Sequence, residues 1–147
     1  MRAAMRWLSQ VWQGITEPRH MKVAYMVIYM LTIAVGVVTL IAPPQSIAGE
    51  VGPTITIVWA CLFLLGGIAG TITVLPGWWW AERVLALAPV GIGLSIYAAV
   101  VIVLHVQTVD AGASRLTQVG IIALAAAPFA IRFLVIREYS YDPRARR

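Results

Sequence analysis

The sequence predicts an all-α integral membrane protein, a four-transmembrane-helix bundle with an N-terminal amphipathic interfacial helix. Three observations predict it. Four apolar stretches of roughly 20 residues divide the chain, each long enough to cross a ~30 Å hydrocarbon core at 1.5 Å per residue. Hydrophobic residues make up 61% of the 147 residues and charged ones 12%, whereas a soluble domain carries about 25% charged residues. The charges are also one-sided. Of 11 Lys and Arg, ten (Arg2, Arg6, Arg19, Lys22, Arg83, Arg132, Arg137, Arg144, Arg146 and Arg147) fall in one set of alternating compartments, and Arg115 falls in the other. Positive charge near span ends stays cytoplasmic, so both termini and the central loop are assigned to the cytoplasmic side of the membrane.

The chain divides into an amphipathic segment at 1–17, a bundle at 18–137 and a basic tail at 138–147, with spans at about 23–42, 54–75, 84–104 and 117–136. That leaves no room for a separate globular domain. A net charge of +5 on a folded basic domain would suggest nucleic acid. Here the positive side chains cluster beside span ends, where the expected partners are the lipid bilayer and its anionic headgroups, each contact contributing about 1 kcal/mol. No nucleic-acid partner is expected. Cys61 is the sole cysteine, lies in the second span, and reads as a small packing residue with no internal disulfide to form. Residues 1–20 lack the continuous apolar core of a cleavable signal peptide.

The first element is the run MRAAMRWLSQVWQGI. At ~100° per residue, Met1, Ala4, Met5, Trp7, Leu8, Val11, Trp12 and Ile15 share one face, with Arg2, Arg6, Ser9, Gln10 and Gln13 opposite. Trp7 and Trp12 are therefore expected to anchor a helix lying on the cytoplasmic leaflet, with packing beneath the bundle or against a partner as the competing arrangement. Pro18 ends this helix by restricting Glu17. In span one, Tyr25 and Tyr29 sit one turn apart near the cytoplasmic end, as aromatic-belt residues do. Pro43 and Pro44 close that span, and Pro53 suits the first turn of the next.

Span two carries Gly66 and Gly70 in a GxxxG pattern, which lets another helix backbone approach closely, within the chain or in a second copy. The turn PGWWWAER follows. Trp78, Trp79 and Trp80 are expected to anchor at headgroup depth, with Glu82 and Arg83 in water. Span three carries Pro89, which frees a backbone carbonyl and kinks the helix, and it closes at His105, a histidine without companions at metal-ligand spacing. Span four is rich in small residues, with Gly120, Ala123 and Ala127 as candidate packing positions. Its Arg132 is the charge the sequence places within a span. It lies five residues before Arg137, so snorkelling to the headgroups is the favoured reading, with a pair to Glu82 or a functional contact as the alternative.

Absences grade the function classes. The sequence has no Walker A loop, HExxH or CxxC, and no nucleophile with a matching base near Ser95 or Cys61. None of the four spans as bounded above contains Asp or Glu, which weighs against proton-coupled transport. No enzymatic activity, cofactor or metal site is expected.

The run LIAPPQSIAGEVGP through LPGWWWAERV resembles small four-span membrane proteins encoded by actinobacterial bacteriophages. The resemblance covers residues 20–105 and rests on the IAPP loop and the PGWWWxER turn. Some such proteins lie near lysis genes, so it implies a holin-like, lysis-associated role and transfers no catalytic residue. The sequence-based expectation is thus a non-enzymatic membrane protein that forms a homo-oligomer or joins a larger membrane complex. An accessory or partner-binding subunit, including a phage exclusion or defence factor, is the alternative, and a small channel or transporter the third.

Overall fold

A computed structural model describes residues 19–43, 49, 52–108 and 115–141. The described chain is all-helical. Helix α1 spans Arg19–Ile41 and α2 spans Pro53–Val74. Helix α3 is continuous but composite: one turn at Trp79–Ala81, a π-helical stretch at Glu82–Leu87, and a long α-helix at Ala88–Thr108. Helix α4 spans Leu116–Tyr141. All four are long and apolar enough to cross a membrane. The amphipathic segment with Trp7 and Trp12, and the tail beyond Tyr141, lie outside the described residues.

Helices α3 and α4 run on to Thr108 and Tyr141, past the expected ends, and two helix starts lie several residues before those expected, for one reason. Hydropathy drops at a charge, but a helix continues through a charge that has a partner. Helix α1 therefore begins at Arg19 and takes in Lys22, and α3 begins at Trp79 and takes in Glu82. The latter corrects the expectation that no membrane-crossing helix contains a carboxylate.

Local chemistry fixes the joints. Pro53 occupies the first turn of α2, behind Gly52 at φ 85°. At the other end, the N–H groups of Gly77 and Trp78 both donate to the Thr73 carbonyl at 3.2 Å. Gly77 has φ 75°, a conformation open to glycine without steric cost, and the reversal lays α3 antiparallel against α2. The π-helical stretch immediately precedes Pro89. A proline ring clashes with the carbonyl four residues back and supplies no N–H to it. The chain widens by one residue instead, with the Ala88 N–H donating to the Arg83 carbonyl. Where the sequence predicts a kink, the structure shows a π-helical turn, and this turn sets the angular position of Glu82.

Each helix packs on its chain neighbour, α1 along α2, α2 along α3 and α3 along α4. Two clusters fill the interior. One joins Tyr25, Tyr29, Val74, Ala86, Leu87 and Ile136 at the end where α1 and α3 begin. The other joins Trp59, Ala60, Phe63, Val90 and Leu104. The outer surface is apolar, with side chains such as Leu31, Val38, Leu65, Ile121 and Leu124 more than 60% exposed, which suits lipid and would be unfavourable in water.

Candidate functional site: a buried charged cluster

The first cluster encloses the strongest polar feature of the described structure. Glu82 is fully buried and Arg132 is 5% exposed. They meet as a two-pronged pair: Arg132 Nε donates to Glu82 Oε1 at 2.7 Å, and a terminal guanidinium nitrogen donates to Oε2 at 2.7 Å. Planar fork-to-fork pairing is among the strongest hydrogen-bonded geometries available to side chains. The Tyr29 hydroxyl donates to the same Oε1 at 3.0 Å. The Tyr25 ring lies 4.8 Å from the guanidinium carbon, and its hydroxyl donates to the Pro128 carbonyl at 3.1 Å. Lys22, also buried, donates from Nζ to the Leu75 carbonyl at 3.2 Å, satisfying an acceptor at the end of α2. Phe129 flanks the group with its ring 6.0 Å from that of Tyr29.

All four helices contribute. Lys22, Tyr25 and Tyr29 come from one face of α1, at positions i, i+3 and i+7. Glu82 comes from the π-helical stretch, Arg132 from α4, and the accepting carbonyl from the end of α2. No buried side-chain nitrogen or oxygen among the described residues lacks a hydrogen bond. The charges of Glu82 and Arg132 cancel at short range, which is the condition for keeping that pair in a low-dielectric interior. Among the described residues no group of three His, Cys, Asp or Glu is placed to hold a metal ion.

These positions correct three expectations. Arg132 does not snorkel. It points into the bundle because a carboxylate waits there. Glu82 is inside the protein and not in water with its neighbour Arg83, which instead lies over the Phe133 ring at 4.8 Å. Tyr25 and Tyr29 are interior ligands of the charged pair and do not form an aromatic belt. The missed signal was the spacing of Lys22, Tyr25 and Tyr29 on one helical face, beside an acidic residue just outside a span and an arginine just inside another.

Gly66 and Gly70 serve different helices. A Cβ on Gly66 would lie 2.9 Å from the Ala86 carbonyl oxygen of α3, and one on Gly70 would enter the Tyr29 ring of α1. Both close approaches are within the chain. Gly120, Ala123 and Ala127 are exposed on α4, and nothing lies within 4 Å of where a Gly120 Cβ would stand. Trp78 and Trp80 are 61% and 76% exposed, whereas Trp79 is half-buried against the first cluster. His105 accepts from the Arg115 N–H at 3.4 Å, at the opposite end of the bundle from Glu82.

The fold and the cluster define a class: a multi-pass α-helical membrane protein whose bundle is fastened by an internal ion pair. No protein-family model matches the chain, no curated protein matches it, and no solved structure matches it.

Proposed function

We propose that this chain is a non-enzymatic protein of the bacterial cytoplasmic membrane that acts by assembling in the plane of the bilayer, in a holin-like, lysis-associated role. One observation carries the reading. Among the described residues, the polar side chains inside the bundle are spent on one another or on backbone carbonyls, so Glu82, Arg132 and Tyr29 hold helices together and present no open group to a substrate. What remains for function is the outer surface, which is apolar and carries the small residues Gly120, Ala123 and Ala127 on α4. Copies meeting through small-residue faces would gain close backbone contact. The bacteriophage resemblance supplies the lysis association. The grouping of Lys22, Arg83 and Arg137 at one end of the bundle, with Arg115 at the other, supports cytoplasmic termini.

The test is induced expression in a bacterial host, alone and with a cytoplasmic endolysin, following membrane potential and culture density. Loss of potential and release of the endolysin are expected. Accumulation in the membrane with neither effect overturns the holin-like role. The accessory-subunit reading, favoured by the exposed Trp78 and Trp80 at the basic end, then leads, and copurification after gentle detergent extraction tests it.

A further inference from the structure

We infer that the cleft between α3 and α4 is a binding site for one anionic phospholipid, with an acyl chain lying in the cleft and the phosphate held by Arg83 and Arg137. The inference rests on the four helices crossing a membrane and needs no lysis role, although Ala123 belongs both to the cleft and to the small-residue face proposed for assembly.

The cleft has a volume of about 410 Å³ and is walled by Leu87 through Ala98 on α3 and by Ile122 through Phe133 on α4. That volume lies within the ~300–1,000 Å³ typical of small-molecule sites. Small residues make the space: Gly91 on one wall, Ala126 and Ala130 on the other. Ser95 is the polar side chain in the lining, and its hydroxyl is already spent on the Gly91 carbonyl at 2.8 Å. The cleft therefore offers an apolar surface and no hydrogen-bonding group in need of a partner. Its length is also informative. From Leu87 to Ala98 a helix rises about 16 Å, close to half of a ~30 Å hydrocarbon core, so the cleft runs the depth of one leaflet.

The headgroup end is basic. Arg83 lies over the Phe133 ring, which itself lines the cleft. Arg137 is one helical turn beyond Phe133, on the same face of α4, and is exposed. Among the described side chains neither guanidinium meets a carboxylate, and Glu82 is taken by Arg132. Two arginines at the mouth of a leaflet-deep apolar groove match a phosphate attached to an acyl chain. A zwitterionic lipid offers the same chain with no net charge, so selection falls on anionic headgroups.

The test uses the full chain in nanodiscs of phosphatidylcholine with a minority of phosphatidylglycerol, followed by mass spectrometry of lipid retained after detergent exchange. The expected result is selective retention of phosphatidylglycerol. R83Q and R137Q should each weaken retention about fivefold, and the double variant more. A126L/A130L fills the groove from positions that are half-buried or exposed, and should displace the lipid while leaving the arginines in place. Thermal unfolding of each variant confirms an intact bundle. Equal retention of the two lipids, or unchanged retention in the double arginine variant, overturns the inference. Displacement of the bound lipid by a soluble glycerophosphate at equal concentration would show a bare phosphate site and overturn it too. So would loss of self-association in A126L/A130L with lipid retention unchanged, because the groove would then hold a second copy.

Discussion

The ring of Tyr29 occupies the space that a side chain at Gly70 would fill. The absence of a Cβ on α2 thereby lets an α1 tyrosine cross the bundle and deliver its hydroxyl to Glu82 on α3. A packing motif and a polar network, which look unrelated in the sequence, are one construction.

Replacing Gly70 with Leu should displace the Tyr29 ring and break its bond to Glu82 together. Overpacking alone costs ~1–3 kcal/mol in soluble cores. Tyr29→Phe removes the hydroxyl and keeps the ring, for about 0.6 kcal/mol on membrane-protein averages. Thermal unfolding in detergent should therefore rank G70L well below Y29F. Equal stability of the two variants would show that the ring does not depend on the glycine.

The Glu82–Arg132 pair should show strong coupling. Removing one partner from a buried pair costs ~3–5 kcal/mol, because the other charge is stranded. E82Q and R132Q are each expected to be severely destabilised, and the double variant E82Q/R132Q to lose much less than their sum. A double-mutant cycle by unfolding in mixed micelles measures this. Simple additivity would mean that the pair is incidental.

Pro89 should be stabilising here despite its unfavourable helix propensity, ~3 kcal/mol worse than alanine in an ordinary helix interior. Pro89→Ala restores an N–H for the Leu85 carbonyl, allows the π-helical stretch to tighten, and turns Glu82 away from Arg132. A lower melting temperature for P89A is expected. A higher one would show that the π turn is dispensable.

Topology is open to a direct test. A reporter fused after Arg147 should be active only in its cytoplasmic form, and one inserted at 45–50 only in its exported form. An exported C-terminus would refute the assignment built on the Lys and Arg distribution.

Four helices were legible in the sequence because long apolar runs and one-sided charge are summed signals that no single residue can spoil. Their ends were less so. Glu82 and Lys22 looked like boundary markers because hydropathy treats each charge as solvated, and the partner that removes a charge from water lies in another helix. Arg132 shows the same limit. Its distance from Arg137 is visible in the sequence, but the direction of its side chain depends on where Glu82 stands, and hence on the π turn before Pro89. The glycines of α2 announced close contact but could not say with which helix, since Gly66 and Gly70 lie near the same face and meet different neighbours.

The separation of Glu82 and Arg132 by 50 positions also constrains biogenesis. While the ribosome is still making α4, α3 carries a carboxylate whose counter-ion has not yet been synthesised. A lone charge is costly within a membrane-crossing helix, less so at Glu82, in the first turn of α3, than at a helix centre, but the acid stays unpaired until α4 is made. The two helices are therefore best released into lipid as a unit, with α3 retained at the insertion machinery until Arg132 emerges. A chain truncated before α4 would keep its first three hydrophobic segments and still carry an orphaned acid, a mark by which membrane quality control could recognise it.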